Sequence, residues 1–162
     1  MVRLLFRVKD LKFLEVFNSR GKKLGEVEDI AIDYFEAKVI GFLIPKTLFK
    51  KKNFIDIENI ISFGEKIVIN ELENYDGISY EDIKNLDILN KKGEMIGVLE
   101  DIVIDNTFNI KALITSKGFF EKFIKGKHFI LPKETILGEQ NILFFGNDNI
   151  DFNSIPHNLW RG

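Results

Sequence analysis

One stretch of 17 residues occurs twice in this chain of 162 residues. FNSRGKKLGEVEDIAID spans residues 17–33 and LNKKGEMIGVLEDIVID spans residues 89–105, an offset of 72. Gly21, Gly25, Asp29 and Asp33 fall on Gly93, Gly97, Asp101 and Asp105. The register holds without a gap from Val8/Tyr80 to Asp33/Asp105, and 11 of those 26 pairs are identical, including Asp10/Asp82, Leu14/Leu86, Asn18/Asn90 and Glu28/Glu100. Most other pairs swap like for like, as in Val16/Ile88 and Val27/Leu99. A fixed period in a sequence of ordinary complexity means that a structural unit has been duplicated. At about 70 residues the unit is a small domain rather than a solenoid rung.

Local chemistry gives each repeat its shape. Asn18-Ser19-Arg20-Gly21 places Asn where a type I turn takes it and Gly where the chain needs positive φ, so Val16-Phe17 and Leu24 begin the two arms of a hairpin. Gly25, inside the second arm, marks a bulge or a close backbone approach. The alternation of apolar residues then breaks. Val27 is apolar on odd positions, Ile30 and Ile32 on even ones. One extra residue at Glu28-Asp29 restores the pattern, which predicts a β-bulge there and a sharp bend of the strand. Leu99 and Ile102/Ile104 repeat the break. Gly21, Gly25 and Asp29, with Gly93, Gly97 and Asp101, are therefore read as turn and bulge residues.

The rest of the chain is strand-like. Val39–Ile44 is an apolar run suited to a strand buried on both faces, and Ile110–Thr115 matches it. Phe54–Ile57 and Ile67–Ile69 are further strands, matched by Phe129–Leu131 and Ile142–Phe145, while Glu58–Gly64 reads as a turn or a single helical turn. Many short strands with glycine turns, and no long run of helical period, indicate an all-β class: two tandem small six-stranded barrels and a short C-terminal tail. The expected boundaries are 1–72 for the first barrel, 73–79 for an acidic linker, 80–146 for the second barrel and 147–162 for the tail. Trp160 is expected to dock on a barrel, with a tail that reaches a second protomer as the alternative.

The totals exclude several classes. A net charge of −2 steers nothing globally. The absence of cysteine removes disulfides and thiolate metal sites. The apolar run between Arg3 and Arg7 is too short for a signal peptide, and Val39 to Pro45 falls far below the ~20 residues of a spanning helix. A soluble cytoplasmic protein is the expectation.

The succession of apolar strand, polar turn with Gly, apolar-Gly, then acid-acid-apolar-x-apolar-Asp resembles the PRC-barrel family. VIGFLI resembles its third strand. FIDIENIISFGEKIVI, and FILPKETILGEQNILFF in the second repeat, resemble its closing segment. The resemblance covers about residues 10–70 and 82–146 and implies a six-stranded barrel used as an adaptor. The family includes the cytoplasmic domain of the photosynthetic reaction-centre H subunit and the C-terminal domain of a ribosome maturation factor. It carries no catalytic residues to transfer.

Chemistry-bearing residues are few. Glu28, Asp29 and Asp33, with Glu100, Asp101 and Asp105, could pair for acid–base work or hold a divalent cation. The simpler reading has Asp29 and Asp101 accepting amide hydrogen bonds at the bulge and Asp33 and Asp105 opening the next turn. Duplication favours it, because a framework residue must recur and an active site need not. His128 and His157 occupy non-equivalent positions without metal-ligand spacing, which leaves ordinary surface or capping roles. No cofactor is expected.

Two lysine segments stand at the same place in both repeats. Residues 46–53 carry Lys46, Lys50, Lys51 and Lys52, net +4. Residues 116–128 carry Lys117, Lys122, Lys125 and Lys127 against Glu121, net +3, which leaves −9 on the remainder of the chain. Lysines beside Phe49, Phe119, Phe120 and Phe123 suit an acidic protein surface or an RNA backbone. The alternative is a solvated loop whose Phe residues pack inward. The reading that follows is a non-enzymatic, protein-binding adaptor. RNA or ribosome-associated binding through these lysines is the alternative, a carboxylate-based metal or hydrolytic site is a third reading, and a homodimer is compatible with the first.

Overall fold

The computed structural model describes residues 5–116 and 128–146. Its strands are β1 (Leu5–Arg7), β2 (Glu15–Asn18), β3 (Lys23–Glu26), β4 (Asp29–Asp33), β5 (Lys38–Leu43), β6 (Phe54–Asp56), β7 (Ile60–Phe63) and β8 (Lys66–Ile69), followed by β9 (Asp87–Leu89), β10 (Met95–Asp105), β11 (Ile110–Ser116), β12 (His128–Ile130), β13 (Thr135–Leu137) and β14 (Asn141–Phe144). The chain divides into two compact units. The first is Val8–Asp82; the second combines the residues up to Arg7 with those from Ile83 onward.

With β3 and β4 counted as one bent strand, and β1 set apart, each repeat supplies six. In the first unit the sheet β3-β2-β8-β7 is accompanied by β4-β5-β6. In the second the order is β12-β11-β10-β9-β14-β13. Among the described residues, each unit has one parallel pairing, and it is the same: β2 with β8, and β9 with β14.

The repeated motif sets the bends. Asn18 Oδ1 accepts the amides of Arg20 and Lys22 at 3.0 and 2.9 Å, and Gly21 takes φ +78°, where a side chain would be strained. Asn90 and Gly93 repeat the turn. Val16 pairs with Gly25 but Phe17 with Lys23, which leaves Leu24 as a bulge; Ile96 is its counterpart. The close approach expected at this glycine exists only in the second repeat, where a Cβ on Gly97 would stand 2.8 Å from the Ser116 carbonyl oxygen. The bulge expected at Glu28-Asp29 divides β3 from β4, and in the second repeat it is a register shift between Leu99 and Asp101 within the continuous β10.

The bends turn both parities of the sequence inward. Val16, Val27 and Ile30 are buried in the first unit, as are their counterparts Ile88, Leu99 and Ile102 in the second. Each such side chain contributes about 1.5–3 kcal/mol of burial.

The edge of each bent strand is covered by the other repeat's leading segment. Phe6 pairs with Ile104 and Arg7 with Val103. In the first unit Ser79 bridges Ala31, and the Ile32 amide donates to the Ile78 carbonyl at 2.9 Å. At the 72-residue offset these are the same positions. Residues 5–7 lead the first repeat and complete the second; residues 78–79 lead the second and complete the first. A single turn, Val8–Leu11 or Tyr80–Ile83, follows each exchanged segment.

Two sequence expectations change. Glu58–Gly64, read as a turn or a single helical turn, begins inside the one-turn 3-10 helix Ile57–Asn59 but continues as β7, which pairs with β8. Residues 73–79, read as a linker, belong to the first unit: Glu73 pairs with Phe54, and the Tyr75 ring stacks on the Phe54 ring at 4.7 Å. Among the described residues, no helix is long and apolar enough to cross a membrane.

Candidate partner-binding surfaces

The four aspartates of the repeated motif are framework. Asp101 is 1% exposed; its Oδ1 accepts the Ile102 amide at 2.9 Å and its Oδ2 accepts Arg7 Nε at 2.8 Å. Asp29 Oδ1 accepts the amides of Ile30 at 2.8 Å and Glu81 at 3.2 Å. Asp33 accepts the Glu36 amide, and Asp105 accepts the amides of Thr107 and Asn109 and the Thr107 hydroxyl. Burial pushes the Asp105 carboxyl up, but those hydrogen bonds hold it, on balance, below the ordinary carboxylate range. Among the described residues, no group of three or more His, Asp or Glu is placed to hold a metal ion.

The first lysine segment is a closed finger. At its base the Ile44 amide donates to the Asn53 carbonyl at 3.0 Å, and Asn53 Nδ2 donates back to the Ile44 carbonyl at 3.1 Å. Higher up, Thr47 and Lys50 exchange backbone hydrogen bonds, and the Lys50 amide also reaches Thr47 Oγ1 at 3.1 Å. Leu48 and Phe49 form the tip between them, 94% and 96% exposed. Phe49 therefore points outward, against the inward packing that a plain solvated loop would give. Lys46, Lys51 and Lys52 are exposed and Lys50 is partly covered. Lys117, Lys122, Lys125 and Lys127, the helical turn expected near Phe119–Phe123, the tail from residue 147, His157 and Trp160 lie outside the described residues. His128 is placed in β12.

A second surface went unread in the sequence. Cross-strand pairing sets Met95 opposite Leu89, Leu89 opposite Leu143, and Leu143 opposite Ile136. These four apolar side chains make one row across β10, β9, β14 and β13. Met95, Leu143 and Ile136 stay 50%, 41% and 57% exposed. The same row in the first unit is Lys23, Phe17, Val68 and Ser62. There both ends are polar, and Lys66 Nζ lies 5.0 Å from the centre of the Phe17 ring. The exchange of Lys23 for Met95 is visible in the aligned repeats; Ser62 and Ile136 lie beyond the longer second lysine segment, and the 72-residue alignment does not bring them together.

Comparison with known proteins agrees with this architecture. The profile of the PRC-barrel domain matches residues 5–74 and again residues 76–143. No curated protein matches the chain. Two matches together span most of the sequence and coincide with the two repeats, and the chain belongs to the PRC-barrel family.

Proposed function

We propose that this chain is a non-enzymatic interaction module, and that a protein partner seats on the apolar row Met95–Leu89–Leu143–Ile136. The row carries the reading because it is the part of the repeat that duplication did not keep. Framework residues recur since both repeats must fold. Lys23 and Ser62 build the same strands as Met95 and Ile136, so folding makes no demand for apolar side chains there. An aligned apolar row on an outer sheet face is the kind of desolvated centre a protein interface uses, with polar residues as its rim. Asp29, Asp33, Asp101 and Asp105 are engaged by backbone amides, and Asp101 also by Arg7, which supports a framework role for these four.

The test gives the second unit the residues of the first. Wild type and Met95→Lys/Leu143→Val/Ile136→Ser are used to capture partners from native lysate, with high-salt and nuclease-treated arms. A protein retained by wild type through both treatments, and lost by the variant at an unchanged melting temperature, is expected. Retention of the same proteins by the variant would overturn the proposal. So would material that disappears on nuclease treatment, which would favour RNA binding through the lysines.

A further inference from the structure

We infer that the finger Ile44–Asn53 is a peripheral anchor for an anionic lipid surface, with Leu48 and Phe49 entering the interface and the lysines holding phosphate-bearing headgroups. The inference goes beyond the protein-binding row and rests on different residues. Turn tips ordinarily carry Gly, Asn, Asp or Pro, which suit the backbone and the solvent. This tip carries Leu and Phe at 94% and 96% exposure, and its backbone is held by the Thr47–Lys50 pair and by the Ile44–Asn53 base. No packing within the first unit accounts for two such side chains.

Charge and shape then select the occupant. Lys46, Lys50, Lys51 and Lys52 surround the tip with no acid among residues 46–53, so the finger is net +4 on a chain that is net −2. A single protruding turn offers far less than the roughly 800 Å² per partner of a standard protein interface. A bilayer requires no matching concavity: it yields to a convex apolar tip, while lysine stems lie along it and keep their ammonium groups at the headgroups. Stable attachment takes two signals, and this finger supplies both, apolar insertion and a basic cluster.

The full chain is sedimented with vesicles of phosphatidylcholine alone and with about one third phosphatidylserine, close to an anionic leaflet. Binding to the anionic vesicles, weak binding to the neutral ones and weakening with salt are expected. Leu48→Ser/Phe49→Ser should lower the partition about 30- to 100-fold, and Lys50→Gln/Lys51→Gln/Lys52→Gln at least about 10-fold. Because the chain has no cysteine, Phe49→Cys carries a single environment-sensitive dye, whose emission should shift to the blue with anionic vesicles. Failure to sediment, or a Leu48→Ser/Phe49→Ser variant that binds as wild type does, would overturn the anchor. Preferential binding to a single-stranded RNA or an acidic polypeptide in competition would do the same. None of these results depends on Met95, Leu143 or Ile136.

Discussion

Replacing Arg7 by methionine tests the exchanged strand at its most sensitive contact. Arg7 sits on β1, seven residues into the sequence, yet its Nε lies 2.8 Å from Oδ2 of Asp101, and the two side chains are 16% and 1% exposed. Removing one partner of a buried ion pair leaves the other charge uncompensated, at a loss of roughly 3–5 kcal/mol. The whole stability of a domain is about 5–15 kcal/mol, so the effect on the second unit is large. Methionine keeps the stem's packing and isolates the charge. Arg7→Met/Asp101→Asn should recover most of the loss, because asparagine still accepts the Ile102 amide and leaves no buried charge. Urea unfolding followed by circular dichroism gives the magnitude. Hydrogen exchange gives the location: protection should fall at Ile102–Asp105 in the single variant and hold at Asp29–Asp33 of the first unit. A loss below about 1 kcal/mol, or equal loss of protection in β4, would refute the assignment of β1 to the second unit.

Phe13 has φ +69° and is 75% exposed, whereas the equivalent position in the second repeat is Asn85 at φ +67°. Left-handed backbone costs a non-glycine residue about 1–2 kcal/mol and asparagine less, so Phe13→Asn should raise the urea midpoint by about 0.5–1 kcal/mol of stability and Asn85→Phe should lower it by as much. Asp105 titrates below the ordinary aspartate, because the Thr107 and Asn109 hydrogen bonds outweigh burial. A depressed folded-state pKa gives stability that is present above the unfolded value of about 3.9 and lost as pH falls through the folded one. Carbon NMR titration should therefore find Asp105 among the more acidic carboxyls, and Thr107→Ala should move it up; an unchanged titration would refute the role of the Thr107 hydroxyl.

The legible parts of this fold are those decided within a few residues. The Asn18/Gly21 turn, the parity break at Glu28-Asp29 and the amide-accepting Asp29 and Asp101 each follow from chemistry that the chain states twice. β7 was not legible because Ile60–Phe63 follows directly on a one-turn 3-10 helix and holds a bulged residue, so its alternation is broken within four positions. The outward Phe49 was not legible either, since in a closed loop no parity tells inside from outside. Nor was the apolar row, whose members come from four strands and meet only through pairing register.

The exchange of leading segments was invisible for a deeper reason. A repeat at constant offset suggests two self-contained barrels, and nothing local decides whether Leu5–Arg7 pairs with its own repeat or with the other. Residues 5–7 and 77–79 share no identity, LFR against GIS. The first brings an arginine to the buried Asp101; the second brings Ser79 beside Ala31, where Asp29 takes the Glu81 amide instead. Each repeat thus needs a strand that only the other can give, and joining them in one chain makes that pairing intramolecular and keeps its effective concentration high. The outer positions take no part in this pairing. Met95 against Lys23, Ile136 against Ser62 and the Leu48–Phe49 finger lie where the frame tolerates difference, and that freedom lets two copies of one fold present different surfaces.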